Sequence, residues 1–99
     1  MSYYDEYVGH MLRTFFAQIP SDQLSTVGQS NCAVCDRIMQ RHSDWERNIL
    51  REVYVKSKKV HLDQTVRNCA INHSLTELDV WRMIRAVSKE IALERGLID

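Results

Sequence analysis

The chain has 99 residues, of which 44% are hydrophobic and 26% are charged, and its formal net charge at pH 7 is zero. This length predicts a single domain, and this balance excludes a disordered chain. No apolar run reaches the ~20 residues that a membrane span needs, and the acidic, aromatic start MSYYDEYVGH does not resemble a signal peptide. We therefore expect a cytoplasmic protein without a membrane partner.

The charges are divided unevenly along the chain. Residues 1–36 carry one basic and four acidic side chains, whereas residues 37–99 carry 12 basic and 9 acidic ones. The first part is therefore acidic and the second part is basic. This asymmetry is typical of a chain whose basic part meets an anionic partner, although solvated helix surfaces would show the same charges.

Apolar residues recur at three- and four-residue steps along most of the chain, and strand-like alternation is nearly absent. This periodicity predicts an all-α fold, a compact helical domain of four to six helices. We divide the predicted domain 1–99 into an N-terminal helical head, residues 1–30, and a body, residues 31–99. The first three predicted helices cover about 3–18, 21–28 and 31–42, with Pro20 ending the first.

The first predicted helix has one wide apolar face, which holds Tyr4, Tyr7, Val8, Met11, Leu12, Phe15 and Phe16. Side chains of these types at helical spacing are usually core residues. The face is wide for one helix of a small protein, however, and Tyr and Phe are enriched at interfaces between proteins. We predict that this helix contributes to a homodimer or partner surface. The alternative is that it packs entirely within its own monomer.

The second half of the chain contains the signals of three further helices. Ser43 begins the first of them through the capping box SDWE, in which Glu46 is the partner residue. The basic link VKSKKV follows, and then a helix within HLDQTVRNCAIN. Thr76 is the predicted N-cap of the last helix, with Asp79 at its third position and Gly96 at its C-terminal end.

The inner faces of these helices follow from the apolar spacing. They are predicted to carry Trp45, Ile49, Leu50, Val53 and Tyr54 in the first helix, Leu62, Val66, Cys69 and Ala70 in the second, and Leu78, Trp81, Ile84, Val87 or Ser88, and Ile91 in the third.

This order of elements resembles the helix-turn-helix of sigma-factor region 4. The matching residues are Glu46, Arg47 and Leu50 in the first helix, Cys69 and Ala70 in the second, Thr76 as the cap, and Val80 and Ile84 in the third. More narrowly, residues 34–97 resemble phage late-gene antiterminators of the Q type, through DRIMQRHSDWERNILREVYV, the lysine-rich link and LTELDVWRMI. The turn of the family usually has Leu-Gly where this chain has His73-Ser74.

The resemblance implies a phage-type transcription regulator that binds DNA through the helix-turn-helix. It also implies contact with the RNA polymerase of a bacterial host, in antitermination or late-gene activation. The second helix of such a unit lies in the DNA major groove, where exposed side chains reach base edges and phosphates. The expected DNA-binding residues are Lys56, Lys58, Lys59, Arg67, Thr76, Glu77, Arg82, Arg85 and Lys89.

Two acids at the start of the last helix complicate this interpretation. Glu77 and Asp79 would repel phosphate if they pointed towards it. They could instead accept hydrogen bonds from cytosine amino groups, or stabilise the start of the helix.

The cysteines raise the question of a metal site. Cys32 and Cys35 form a C-x-x-C, and Cys69 stands four residues before His73, so the chain contains one complete tetrahedral zinc set. A zinc knuckle usually folds its C-x-x-C around a tight turn, whereas CAVC lies in a helix-like stretch. We therefore favour core thiols, which behave as small hydrophobic side chains, over a zinc site, and we expect no cofactor.

Catalytic motifs are missing from the sequence. It has no Gly-rich phosphate loop, nucleophile elbow or paired-carboxylate motif, so we expect binding and not catalysis. The alternative to a DNA-binding regulator is a small protein-binding or inhibitory module that uses a degenerate helix-turn-helix as its scaffold. The zero net charge and the acids of the last helix favour this alternative.

Overall fold

A computed structural model of the chain describes residues 4–57 and 61–98. These ranges form five α-helices: α1 (Asp5–Phe16), α2 (Thr26–Met39), α3 (Asp44–Lys56), α4 (Leu62–Asn72) and α5 (Glu77–Arg95). A short 3-10 helix, Ser21–Gln23, precedes α2, and the described ranges contain no strand. The predicted all-α fold with four to six helices is confirmed. Of the helices described, none combines the length and the apolar character needed to cross a membrane.

The starts of α3 and α5 are determined by their own first turns. Ser43 accepts the backbone N–H of Glu46 at 3.2 Å, and Glu46 accepts that of Ser43 at 3.3 Å. Thr76 and Asp79 make the equivalent bonds before α5, at 3.0 and 3.1 Å. Gly96, after the last residue of α5, has the left-handed φ of +80° that favours glycine. These predicted helix ends are confirmed, because each signal depends only on residues close together in the sequence.

The structure corrects the predicted boundary between the second and third helices. The expected helix over 21–28 is only a short 3-10 helix, Ser21–Gln23, and its remaining part from Thr26 joins the expected helix over 31–42 in one continuous helix, α2, which ends at Met39. Ser25 is its N-cap and accepts the N–H of Gly28 at 3.0 Å, so Gly28 lies in the first turn of a helix. The prediction was wrong because a glycine ends a helix only where the backbone turns left-handed, and Gly28 keeps a negative φ.

The five helices share one hydrophobic core. α5 contacts all four of the other helices. Burying an aliphatic side chain stabilises the fold by about 1.5–3 kcal/mol. Every helix contributes to the largest fully buried side chains, which are Val8, Met11, Leu12, Cys35, Ile38, Ile49, Leu50, Val53, Val66, Val80, Val87 and Ile91.

α1 contributes part of this core. Val8, Met11 and Leu12 are almost completely buried, and α1 contacts α2, α3 and α5. Tyr7 is 39% exposed, and its hydroxyl accepts from Nδ2 of Asn31 at 3.1 Å. The centre of the predicted apolar face therefore packs inside the monomer, as in the alternative given above. A homodimer through the remaining, exposed part of α1 stays a prediction.

Two residues predicted on inner faces lie at the surface. Trp45 is 48% exposed, because it stands in the first turn of α3 and the buried side of that helix begins one turn later, at Ile49. Leu78 is 50% exposed. It is two residues from buried Val80, which places it roughly 200° around α5, on the outward side.

Acid should destabilise the start of α5. The pKa of Asp79 is lowered from its ordinary value of about 3.9, mainly because the carboxylate accepts the backbone N–H of Thr76. The ionised Asp79 carboxylate stabilises the folded state fully at pH values above the unfolded-state pKa. This stabilisation is lost as the pH falls through the lower folded-state pKa. We expect the melting temperature of the parent to fall more steeply between about pH 6 and about pH 3 than that of Asp79→Ala, measured by circular dichroism. Equal slopes in the two proteins would contradict this expectation.

Candidate nucleic-acid interface

The unit predicted to bind DNA is a pair of packed helices joined by a four-residue turn. α4 ends at Asn72, residues 73–76 form the turn, and α5 begins at Glu77. The backbone N–H of Leu75 donates to the carbonyl of Ala70 at 2.8 Å, which closes the turn. Because α4 contacts both α3 and α5, the core holds the whole unit in place.

Ser74 has an unusual backbone conformation within this turn. Its φ is +56°, in the left-handed region that costs a non-glycine residue roughly 1 kcal/mol or more. Ser74 is the second residue of the His73-Ser74 pair, where the resemblance expects Leu-Gly. The turn therefore has the backbone shape that a glycine favours, although the sequence has none there.

Three of the predicted DNA-binding residues share the outward side of α5. Arg82, Arg85 and Lys89 follow one another at steps of three and four residues, and all three are exposed. They span roughly 10 Å along the helix axis, since each residue adds about 1.5 Å. We call these three residues the basic face. The major groove of B-DNA is about 12 Å wide and admits an α-helix that carries such a face.

The side chains of the basic face differ from most other cations of the protein in forming no hydrogen bond or ion pair. Arg82 is still close enough to Asp79 for its charge to help lower the pKa of that carboxylate. Within residues 4–57 and 61–98, Arg51 and the basic face are the Lys and Arg side chains without a hydrogen bond or ion pair. The remaining described basic side chains each form one, namely Arg13, Arg37, Arg41, Arg47, Lys56, Arg67 and Arg95. Unpaired cations that gather on one helix face are available to an anionic partner.

The acids at the start of α5 are engaged within the protein. Oε1 of Glu77 lies 3.1 Å from Nε of Arg67 on α4, and Asp79 accepts the backbone N–H of Thr76. The Arg67–Glu77 pair is about half exposed and contributes little to stability. It nevertheless directs the Glu77 carboxylate towards α4, which reduces the repulsion that these acids would exert on phosphate. Three residues predicted to contact DNA therefore already have partners within the protein. Arg67 and Glu77 pair with each other, and Thr76 caps the start of α5.

The predicted phosphate contacts before α4 are only partly described. Nζ of Lys56 lies 3.7 Å from Oε1 of Glu52, one helical turn earlier on α3. Lys58 and Lys59 fall outside the described residues. The basic face of α5 is therefore the part of the predicted interface that the structure brings together.

No protein-family model, curated protein or solved structure matches this chain. A fold by itself does not determine function, so the role of the basic face is inferred from its geometry and its charge.

A cleft of about 750 Å³ borders the basic face on the side of α1. Arg85 lines it together with Asp5 and Glu6 of α1 and Asp63 of α4. These carboxylates would repel a phosphate backbone that approached along α1. We therefore expect an anionic partner to reach the basic face from the side of Arg82.

The cysteines fall into two separate groups. Cys32 and Cys35 lie on α2, where Cys35 is buried in the core. Burial, and then the neighbouring Cys32, raise the pKa of Cys35 to about 12, so its thiol is protonated at neutral pH. Cys69 is buried on α4, near His73. Within the described ranges, one cluster of three potential metal ligands occurs; it contains Cys69 and His73 but neither Cys32 nor Cys35. The four-residue zinc set considered from the sequence is therefore not assembled.

Glu52 of α3 completes that cluster, and sequence analysis missed it. One ligand atom from each of Glu52, Cys69 and His73 lies within 4.8 Å of the other two. Burial opposes ionisation of Glu52, but the Cys69 thiol, Lys56 and His73 outweigh it and lower the pKa of Glu52. Burial, and then the adjacent Glu52, raise the pKa of Cys69 to about 12. No sequence pattern connects Glu52 with Cys69, because they belong to different helices.

Proposed function

We propose that this protein is a phage-type transcription regulator that binds DNA through α4, the turn and α5. In keeping with the sequence resemblance, it would also contact the RNA polymerase of a bacterial host, in the host cytoplasm, to cause antitermination or late-gene activation. The observation that carries the proposal is the basic face, three exposed cations that form no hydrogen bond or ion pair, on the second helix of the unit. The mechanism is binding, without a catalytic step.

Each residue of the basic face has a role that follows from its position. Arg82 is the nearest of the three to the start of α5, and residues near the start of a recognition helix contact base edges. Its guanidinium can donate two hydrogen bonds to O6 and N7 of a guanine. Lys89 lies two turns further along, where a flexible point charge suits a phosphate oxygen. Arg85 stands between them and can serve either partner.

Binding to DNA should depend strongly on salt. The test is a titration of the full chain with promoter-proximal DNA from its native genome and with a scrambled duplex of the same length, at several salt concentrations. Two neutralised phosphates, bound by Arg85 and Lys89, would make log K fall with log salt with a slope of roughly −2. We expect this slope for both duplexes and tighter binding to the native one, because base contacts add to phosphate contacts.

A protein-binding module is the second candidate, and exposed apolar residues of α4 and α5 favour it. Leu78, on the same outward side of α5, is 50% exposed, and Ile71, near the end of α4, is 71% exposed. A surface that combines exposed aliphatic and cationic side chains also suits an acidic protein surface. Binding of purified RNA polymerase by a parent protein that binds neither duplex would select this candidate and reject the first.

A further inference from the structure

Glu52, Cys69 and His73, here called the polar cluster, join three parts of the protein at one point. Glu52 belongs to α3, Cys69 is buried on α4, and His73 is the C-cap of α4, at the beginning of the turn. Cys69 and His73 are four residues apart, so both side chains lie on the same side of the end of α4. The contact between α3 and α4 places Glu52 opposite them.

The three side chains suit the chemistry of zinc. Zn²⁺ binds cysteine sulfur at about 2.3 Å, histidine nitrogen at about 2.0–2.1 Å and carboxylate oxygen at about 2.0–2.2 Å, in a tetrahedral arrangement. Two such ligand atoms are then roughly 3.3–3.7 Å apart. Nε2 of His73 and Oε2 of Glu52 are already 3.4 Å apart. All the ligand atoms are within 4.8 Å of one another, so closing the site needs side-chain movements of only about 1 Å.

The carboxylate of Glu52 also has an unsatisfied atom. Oε2 is buried and has no hydrogen-bond partner in the described ranges, although His73 lies near it. A buried acceptor without a partner costs about 1–3 kcal/mol, and more when it carries charge. A bound cation would satisfy this oxygen directly.

A simpler interpretation is that the polar cluster is an ion pair between Glu52 and His73, which fastens the turn to α3. In that interpretation the Cys69 thiol stays protonated, helps to stabilise the Glu52 carboxylate and lies 4.0 Å from the carbonyl oxygen of Ile49. A thiolate adds to the affinity for soft or borderline metal ions such as Zn²⁺. The two interpretations differ in whether Cys69 loses its proton and binds a metal.

We propose that the polar cluster is a binding site for a zinc-class divalent cation, with Glu52, Cys69 and His73 as protein ligands and water in the fourth position. The cation would tie α3 to the end of α4 and to the turn, and would thereby hold the start of α5 in one orientation. This inference does not depend on DNA binding, and its test does not use DNA.

Co²⁺ is the probe for this site, because it replaces Zn²⁺ and gives a charge-transfer absorption band when a thiolate binds it. Titration of the full chain with Co²⁺ under reducing conditions should produce that band and saturate at one ion per chain. Zn²⁺ should then abolish the band by displacement. Cys69→Ser should lose the band, whereas the matched control Cys32→Ser, which removes a thiol outside the cluster, should keep it.

The other two ligands are tested by affinity. His73→Ala and Glu52→Gln should each weaken Co²⁺ binding by more than about tenfold. His10→Ala, which removes an exposed histidine on α1, should bind as the parent does. Circular dichroism checks that each variant is folded. Because His73 lies at the surface, its variant decides the question even if Cys69→Ser unfolds.

Three results would overturn the proposal. The first is a parent protein that shows no thiolate band at saturating Co²⁺. The second is a band that persists in folded Cys69→Ser, because the thiolate would then lie elsewhere. The third is parent-like affinity in His73→Ala.

Discussion

Replacing Arg82 and Arg85 together by Ala should abolish sequence-specific DNA binding and leave the helix content unchanged. Both side chains are exposed and form no hydrogen bond or ion pair, so their loss should disturb the fold little. A good contact from arginine to a base contributes about 1–3 kcal/mol of discrimination, so the pair together should cost roughly 2–6 kcal/mol of specific binding. The measurements are fluorescence anisotropy with the native DNA site and far-UV circular dichroism.

A matched control separates this effect from a general loss of positive charge. Arg37→Ala with Arg41→Ala removes the same charge from the α2 side, where both arginines lie near Glu94. This double variant should bind the native site within about threefold of the parent, because surface ion pairs contribute little. Equal weakening by both double variants would indicate a diffuse charge effect and would argue against a recognition helix.

Deleting residues 1–18 should unfold the protein. The deletion removes Val8, Met11 and Leu12, each almost completely buried, and exposes the surfaces of α2, α3 and α5 that they cover. At about 1.5–3 kcal/mol for each side chain, the loss is comparable to the whole stability of a small domain. We expect a chain without cooperative thermal unfolding, or an aggregated one, by calorimetry and by sedimentation.

Point variants on the two sides of α1 refine this test. Leu12→Ala should cost about 2–5 kcal/mol of unfolding free energy, since it leaves a cavity in the core. His10→Ala, on the exposed side of the same helix, should change the stability by less than about 0.5 kcal/mol. A truncated chain that stays folded and monomeric, from a parent that sediments as a dimer, would contradict the core role of α1. It would support the homodimer that the aromatic side chains suggested.

The helical class and the helix ends were predictable because their physical causes are local. The capping boxes of Ser43 with Glu46 and of Thr76 with Asp79 involve partners three residues apart, so the sequence shows both partners at once. The predicted helix end at Gly28 was wrong because its sequence signal is ambiguous. A glycine permits both a helix start and a helix end, and only the backbone conformation distinguishes them.

The candidate interface was predictable in part. Spacing alone places Arg82, Arg85 and Lys89 on one side of a helix, and the structure shows that this side faces outward. Spacing could not show that Arg67 pairs with Glu77, because that contact joins two helices across the turn. Which cations remain unpaired therefore depends on how the helices pack.

The all-α fold, the capped starts of α3 and α5, and the spacing of Arg82, Arg85 and Lys89 on one side of the last helix all follow from the sequence, since helical periodicity and capping act over a few residues. The packing of the helices, in contrast, was needed to show that α1 helps to build the core and that Cys32 and Cys35 lie apart from Cys69 and His73. Only the tertiary structure, likewise, brought Glu52 to the polar cluster. The physical reason is that these contacts join residues distant in the chain, and the packing of whole helices selects them through the combined burial of many side chains.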